Sequence, residues 1–299
     1  MRTRHINYNL LNVIIFLLPG AALFTLFFLI PMGYSLNISF YKWNFVHPGQ
    51  SVWVGLNNYI TVIQNSIFQR SVINTLVYTV VTVFFQILIG LILALLLNQK
   101  FFGRTFFRIS YYLPVISSWV IVSLLFTYIF NAQAGLANYI LRDVFHITQD
   151  NIRWLADDKL IMVPLVLLGI WKGVGWTMVI FLAGLQGIPK HLYEAAAVDG
   201  AKLLDSFRYI TLPLLRPTLV FLLVVLTIGG LNAYVSFQLI AYNGDPLDLT
   251  HSVLTWMYKT TFGSARNFGQ GAAIGYLLTI FVFLISVVQL KLLRKPLEV

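Results

Sequence analysis

Residues 194–217 read EAAAVDGAKLLDSFRYITLPLLRP, a charged segment in a chain that is otherwise strongly apolar. Six of its 24 residues are Asp, Glu, Lys or Arg, a glycine interrupts it, and two prolines stand near its end. Apolar runs flank it on both sides, at 160–187 and 217–241. Because crossing the hydrocarbon of a bilayer takes ~20 apolar residues as a helix, the segment is predicted to connect two spanning helices at one membrane face.

The composition of the whole chain indicates an integral membrane protein. Of its 299 residues, 59% are hydrophobic and only 10% are charged, whereas soluble domains carry about 25% charged residues. The chain has no cysteine, which excludes disulfides, thiolate chemistry and cysteine metal sites. Its histidines are scattered along the sequence, so no metal site is predicted.

Six charge-poor runs are long enough to span a bilayer. None alternates in the manner of a barrel strand, so helices must satisfy the backbone. The runs are approximately 10–33, 72–97, 109–131, 160–187, 217–241 and 268–290. The sequence therefore predicts an all-α membrane protein with six transmembrane helices, in a single domain that covers residues 1–299.

The distribution of basic residues predicts the orientation. With the N-terminus inside, the inner segments hold 12 Lys and Arg against four acids, and the outer segments hold seven against six. The positive-inside rule then places both termini and the 190–212 loop in the cytoplasm. The net charge of +10 is explained by this asymmetry and requires no nucleic-acid partner.

The charged segment has the pattern of a helix, a turn and a second helix lying on the cytoplasmic side. Pro189 suits the first turn of a helix, and Gly200 permits a turn because glycine adopts positive φ at no steric cost. A second helical piece is predicted from Lys202, and Pro213 and Pro217 are expected to end it before the fifth span. Its apolar residues follow helical spacing at Leu203, Phe207 and Ile210. Both a docking surface and a solvated loop fit this pattern.

The spacing of this segment resembles the signature loop of ABC importer permeases: E-A-A, three residues, G, nine residues, I, one residue, L-P. The matching residues are Glu194, Ala195, Ala196, Gly200, Ile210, Leu212 and Pro213. The longer pattern resembles the carbohydrate-type permeases related to maltose and glycerol-phosphate importers, through Asp199, Ala201, Phe207 and Pro217. In that family the loop is a coupling helix that sits in a cleft of a cytoplasmic ATPase subunit.

Four shorter matches extend the resemblance along the chain. Residues 55–59, GLNNY, are similar to the family's G-L-x-N-Y, and Arg104 to Pro114 resembles its entry to the third span. Residues 181–189, FLAGLQGIP, resemble the run that leads into the coupling loop. Residues 244–246, GDP, followed by Thr250, stand where relatives have G-G-P and depart from it by one residue.

The resemblance implies a non-catalytic permease subunit in a bacterial-type plasma (inner) membrane, with several passes through it. It implies a second permease as a heterodimer partner, two cytoplasmic ATPase subunits and an extracytoplasmic solute-binding protein. No G-x-x-x-x-G-K-[ST] motif occurs in the sequence, so ATP and Mg²⁺ are expected on the partner and no cofactor on this chain. A sugar is the expected cargo, with glycerol-phosphate or a polyol as the alternative.

A secondary transporter is a weaker alternative. Such proteins usually show internal repeats and broken helices, and often carboxylates at the membrane midplane. No repeat is visible, and no Asp or Glu lies within a predicted span. The ABC permease is therefore favoured.

Polar residues within the spans predict the solute path, since such groups face protein or water. In the fifth span, Asn232 and Ser236 share a helix face with Gly229, while Tyr234 and Gln238 form a stripe roughly opposite. Gln86, on a face with Thr79 and Thr82 in the second span, is a further candidate. Hydrogen bonding between helices is the alternative explanation for these residues.

Lys172 and a glycine pair have two interpretations each. Lys172 lies mid-span, where it either selects an anionic solute or pairs with carbonyls at a helix C-terminus or a carboxylate, and the pairing role is favoured. Gly271 and Gly275 form a G-x-x-x-G pair, which suits close packing within the chain or against a second permease. The outer aromatics, which are interpreted as interfacial anchors or a docking rim, are Trp43, Trp53, Tyr59, Tyr139 and Trp154.

Overall fold

The computed structural model describes residues 10–241, 249–264 and 266–293. The helices in these ranges are α1 (Leu10–Phe24), α2 (Ile30–Ser39), α3 (Asn57–Gln64), α4 (Ser66–Asn98), α5 (Arg104–Ile116), α6 (Trp119–Ile129), α7 (Leu136–Tyr139), α8 (Met162–Gln186), α9 (Lys190–Val198), α10 (Leu203–Ser206), α11 (Leu212–Leu214), α12 (Arg216–Leu231), α13 (Val235–Ile240), α14 (Val253–Phe262) and α15 (Phe268–Leu293). The GDP match at 244–246 lies outside the described residues.

Short elements complete the fold. Five-residue π-helical turns occupy Thr25–Leu29, Ile140–Val144 and Phe207–Thr211. Strands β1 (Tyr41–Lys42) and β2 (Val52–Trp53) pair antiparallel, with Tyr41 opposite Trp53.

Five helical stretches of the described chain are long and apolar enough to cross a membrane, and α5 with α6 makes a sixth if the two form one bent span. The five stretches are Ile14–Ser39, Ser66–Asn98, Met162–Gln186, Arg216–Ile240 and Phe268–Leu292. The predicted all-α membrane fold is therefore confirmed. The cytoplasmic location of the termini stays a prediction, and Arg2, Arg4, Arg294 and Lys295, which contribute to it, lie outside the described residues.

The chain forms two compact units, residues 1–63 with 260–277 and residues 64–259 with 278–299. In the first unit the Asn58 amide donates to the carbonyl oxygens of Ser39 at 2.8 Å and Tyr41 at 2.9 Å. These bonds hold the start of α3 against the end of α2. The GLNNY residues therefore fix the connection between these two helices through Asn58. Gly271 lies so close to Thr261 that a side chain there would clash, which assigns at least this glycine to packing within the chain.

The second unit has α4 and α8 at its centre. The two helices approach closely at Gly90, where an added Cβ would lie 2.7 Å from the Thr177 methyl group. One apolar cluster joins the C-terminal parts of α4 and α8 to the chain that follows α8. Its residues are Ala94, Leu97, Met178, Phe181, Leu182, Leu185, Ile188, Leu215 and Leu222. A second cluster comprises Tyr78, Val122, Ile161, Leu165, Leu168, Phe237, Ile240 and Ala241.

The third predicted span, 109–131, is not one continuous helix. Helices α5 and α6 meet at an angle of 96°. Pro114 stands in the last turn of α5, and Ser117 and Ser118 are extended, with ψ of 146° and 133°. Proline cannot donate the helical hydrogen bond that would continue the ladder, and the extended serines redirect the chain.

The fifth predicted span also differs from a regular helix. Helix α12 ends at Leu231, Asn232 and Tyr234 leave the helical conformation with φ of −98° and −128°, and α13 resumes at Val235. A short break of this kind is tolerated where neighbouring protein satisfies the backbone. Side chains on either side of residues 232–234 therefore do not follow the spacing of a single helix.

Pro213 and Pro217 do not end the helical segment, and that expectation is wrong. Pro213 lies in the first turn of α11 and Pro217 in the first turn of α12. A proline in the first turn of a helix sacrifices no hydrogen bond, because the N–H groups there have no partner within the helix. The chain from Leu203 thus runs through successive helical pieces into the fifth span.

Candidate functional site: the EAA segment and a membrane cavity

Residues 190–214, here called the EAA segment, form the predicted helix, turn and second helix. Pro189 precedes α9 in an extended conformation, with φ −63° and ψ 131°. Gly200 has φ +75°, and the Ala201 N–H donates to the Ala196 carbonyl at 2.9 Å. This is the hydrogen bond of a helix that ends on a left-handed glycine. The Asp205 carboxylate accepts the Lys202 N–H at 3.0 Å and caps α10.

The outward face of the EAA segment exposes large apolar side chains. Four of them are at least 70% exposed: Val198, Leu203, Leu204 and Tyr209. Among the predicted coupling residues, Glu194, Ala195, Asp199, Gly200 and Leu212 are also exposed. Exposed apolar patches mark protein or membrane interaction sites, so this surface is a candidate docking site for a protein partner.

The inward face of the EAA segment is attached to the membrane helices. Leu192, Tyr193 and Ile210 pack against the apolar cluster that α4, α8 and α12 share. The Tyr193 and Thr211 hydroxyls are 2.9 Å apart and hydrogen-bonded, which joins α9 to the second helical piece. The other half-buried coupling residues are Ala196, Ala201, Phe207 and Pro213. The segment is therefore attached to the spans through packed side chains.

A cavity of about 470 Å³ lies among α4, α8, the α5–α6 bend and the break between α12 and α13. Its volume falls within the ~300–1,000 Å³ of small-molecule sites. The polar and aromatic residues that line it are Tyr78, Thr82, Gln86, Trp119, Lys172, Trp176, Asn232, Tyr234 and Ser236. Neutral hydrogen-bonding groups beside aromatic rings are the combination expected for a polyhydroxylated solute.

Most of the predicted path residues line this cavity. Asn232, Ser236, Tyr234 and Gln86 are among its walls, and Gln238 is not. The prediction that Tyr234 faces away from Asn232 and Ser236 is wrong, because the helix break at 232–234 turns all three towards the same space. The role of these residues in transport stays a prediction.

Two glycines of α8 allow polar side chains of α4 to approach closely at the wall of the cavity. An added Cβ at Gly169 would lie 2.6 Å from the Tyr78 hydroxyl, and one at Gly173 would clash with the Gln86 amide. The Gln86 amide nitrogen donates to the Gly169 carbonyl at 2.9 Å. The glycines therefore make room for Tyr78 and Gln86, two of the three polar side chains that α4 contributes to the cavity.

Lys172 is buried and bonded to backbone carbonyls. Its ammonium group donates to the carbonyl oxygens of Pro114 at 2.9 Å, Val115 at 3.3 Å and Ser117 at 2.6 Å. These carbonyls belong to the end of α5, so the favoured interpretation, pairing with a helix C-terminus, is confirmed.

Sequence reasoning did not assign Tyr78, Trp119 or Trp176 to the solute path. Each lies in an apolar helix, where an aromatic residue fits a core or a lipid-facing position equally well. The sequence does contain one indication of the bend that places Trp119 at the cavity. Ser117 and Ser118, a polar pair shortly after Pro114, interrupt the third apolar run immediately before Trp119.

Two of the outer aromatic residues, Trp53 and Trp154, make contacts within their own connections. Trp53 stacks on Phe40 at 5.5 Å between ring centroids, and the Trp154 indole donates to the Asn138 side-chain oxygen at 2.9 Å. In the first unit, a groove of about 810 Å³ is lined by Lys42, Trp43, Phe45, Phe262, Arg266 and Phe268, among other residues. Residues 1–63 and 260–277 contain no Asp or Glu, so this groove has an excess of positive charge.

Comparison with known proteins identifies the class. Residues 86–295 match the model of the family described as "binding-protein-dependent transport system inner membrane component". The chain belongs to this family, and it is a permease component of an ABC importer of the inner membrane.

Particular relatives are similar over nearly the whole chain. The arabinooligosaccharides transport system permease protein AraP of Bacillus subtilis (strain 168) is 35% identical over 281 residues, 93% of this chain and 87% of AraP. The probable ABC transporter permease protein YurN of the same organism is 31% identical over 97% of this chain and 98% of YurN. A chain of the bacterial alginate ABC transporter, solved with an alginate pentasaccharide-bound periplasmic protein, matches with a TM-score of 0.80 and 25% identity, covering 94% of this chain and 93% of that one.

Proposed function

We propose that this permease imports a sugar, that it carries no catalytic site, and that its EAA segment is held by a cytoplasmic ATPase subunit. The observation that carries the proposal is the two-sided EAA segment: its outward face exposes apolar side chains and its inward face packs on helices that wall the cavity. The sequence has no P-loop motif, so ATP and Mg²⁺ bind to the partner and no cofactor or metal is assigned to this chain.

In the proposed mechanism, closure of an ATPase dimer moves the EAA segment as a rigid piece. Leu192, Tyr193 and Ile210 carry the movement into α4, α8 and α12 through the shared apolar cluster. Packed cores switch between discrete arrangements and do not deform continuously. The cavity walls contributed by α8 and α12 therefore alternate between inward-facing and outward-facing states.

A neutral sugar is the proposed cargo. Amide and hydroxyl groups in the cavity can donate to and accept from sugar hydroxyls, and Trp119, Trp176 and Tyr234 offer rings for the apolar faces of pyranoses. Glycerol-phosphate or a polyol stays the alternative, but the cation in the cavity wall already donates to three carbonyls. The name of AraP, an arabinooligosaccharide permease, agrees with a sugar.

The proposed assembly contains a second permease as a heterodimer partner, two ATPase subunits and an extracytoplasmic binding protein. The likeness to the alginate transporter solved with its periplasmic protein supports the last of these. In the predicted orientation the basic groove with Lys42 and Arg266 faces outward, where a binding protein would approach.

The test is the ATPase activity of the reconstituted assembly with its binding protein and a panel of solutes. Neutral oligosaccharides are expected to stimulate vanadate-sensitive hydrolysis more than glycerol-phosphate or polyols do. Stimulation by glycerol-phosphate alone would overturn the proposed cargo and leave the coupling intact. Transport driven by an ion gradient without any ATPase would overturn the coupling as well.

A further inference from the structure

At the bend of the third span, the Pro114 carbonyl accepts one hydrogen bond from the Ser117 N–H at 3.3 Å, and the carbonyls that follow it lie beyond the regular ladder of α5. Helix α5 ends at Ile116, and α6 departs from it at 96° from Trp119 onwards. The last carbonyls of any helix lack partners within it, and at membrane depth there is little water to supply them. A bent span therefore needs hydrogen-bond donors from another part of the protein.

Lys172 of α8 supplies these donors. Its ammonium group has three N–H bonds, and they match the three carbonyl oxygens of Pro114, Val115 and Ser117. The Lys172 nitrogen also lies 4.9 Å from the centre of the Trp119 ring, the first residue of α6, within the range of cation–π attraction. One side chain thus contacts both halves of the bent span.

The balance of charge agrees with this arrangement. The membrane spans of the described chain contain no Asp or Glu, and Lys172 is only 4% exposed. The carbonyls at a helix C-terminus carry a partial negative charge that stabilises a cation. The end of α5 therefore takes the place of a carboxylate partner for Lys172.

A second contact fixes α5 on the same stretch of α8. Gly175 packs so closely against the Tyr111 carbonyl that a side chain there would clash with the α5 backbone. Lys172 and Gly175 are three residues apart on α8, and Tyr111 and Pro114 are three residues apart on α5. The two pairs together set both the distance and the register of the bend.

We propose that Lys172 is a positioning residue that holds the α5–α6 bend against α8 and so builds one wall of the cavity. Val115 and Trp119, on the two sides of the bend, both line that cavity. Loss of the ammonium group would release the end of α5, move Trp119 and open the space behind α6. This role does not depend on which solute is transported.

The absence of cysteine from the sequence provides a clean reporter. Ser123 of α6 is fully buried, and its hydroxyl has no hydrogen-bond partner among the described residues. Ser123→Cys therefore places a single thiol behind the bend without removing a hydrogen bond. Its rate of reaction with a small maleimide in membranes that contain the full-length chain measures the opening.

The variants separate positioning from charge selection. With Lys172 intact, the thiol introduced by Ser123→Cys should react slowly. Lys172→Met and Lys172→Gln should raise the rate about tenfold or more, because one unsatisfied buried carbonyl already shifts such an equilibrium by about that factor. Lys172→Arg, which keeps the charge and N–H donors for the carbonyls, should react more slowly than Lys172→Met and Lys172→Gln. Lys159→Met, the same substitution at an exposed lysine, is the matched control and should have no effect.

The same variants are assayed for stimulation of ATPase activity by neutral and anionic solutes. The proposal is overturned if Lys172→Met and Lys172→Gln keep the thiol protected while the response to anionic solutes changes. If Lys172→Met does not accumulate in the membrane, Lys172→Gln and Lys172→Arg decide: a protected thiol in the Gln variant contradicts the proposal, and a reactive thiol in Gln with a protected one in Arg supports it.

Discussion

The EAA segment and the membrane cavity place side chains in opposite ways. The EAA segment exposes Val198, Leu203 and Leu204 where a surface in contact with water would carry polar groups. The cavity is concave, and gathers Gln86, Asn232 and Ser236 where lipid would require apolar groups. Their difference supports the proposal that a protein partner binds the first region and that the cargo passes through the second.

The two regions share one mechanical connection. The apolar cluster under the EAA segment includes Phe181, Leu185 and Leu215, and the same helices α8 and α12 provide cavity walls. Variants of the outward face should therefore abolish coupling without altering the cavity. Variants of the cavity should alter transport without releasing the ATPase.

The largest effect is expected on the EAA segment. Replacing Val198 and Leu203 together by Glu puts two charges on the apolar face, and a central apolar contact of an interface contributes about 2 kcal/mol or more. Co-purification of the ATPase subunit should fall by at least about 100-fold. The matched control is Phe145→Glu, an exposed aromatic residue outside the segment, which should leave co-purification unchanged. Retention of the ATPase by the double variant would contradict the proposal that the ATPase binds the outward face of the EAA segment.

The second effect concerns the packing behind the cavity. Gly175→Ala would force the α5 backbone away from α8, and overpacking of this kind costs about 1–3 kcal/mol. Sugar transport should fall about tenfold, while the ATPase still co-purifies. Gly33→Ala in α2 is the control, because an added Cβ there meets nothing within 4 Å and Gly33 does not line the cavity. Equal effects of the two substitutions would contradict the assigned packing.

The smallest effect distinguishes the polar residues of the fifth span. Asn232→Ala and Ser236→Ala should each raise the concentration of sugar-loaded binding protein needed for half-maximal stimulation about three- to tenfold, the value of one hydrogen bond. Gln238→Ala should change it less than twofold, because Gln238 does not line the cavity. The measurement is a titration of ATPase activity with sugar-loaded binding protein. A larger effect at Gln238 than at Ser236 would mean that the solute path lies along Gln238 and not along the cavity described here.

The sequence predicts the EAA segment well because its structure is local. Gly200 forms the turn through a hydrogen bond between Ala201 and Ala196, and these residues are close together in the chain. Pro114 marks the bend of the third span in the sequence, but the carbonyls at the bend are bound by Lys172, which lies more than 50 residues away from them. The break at Asn232 and Tyr234 has no proline to mark it. The cavity walls could therefore be predicted only in part.

The central claim is that an ATP-binding subunit holds the EAA segment from the cytoplasm. The direct measurement is cross-linking from a single cysteine at Asp199, an exposed residue beside the Gly200 turn, in the assembled importer. We expect Asp199→Cys to capture an ATP-binding protein and Phe145→Cys to capture none. Failure of Asp199→Cys to capture such a protein, or its labelling by a membrane-impermeant thiol reagent from outside intact cells, would contradict the account.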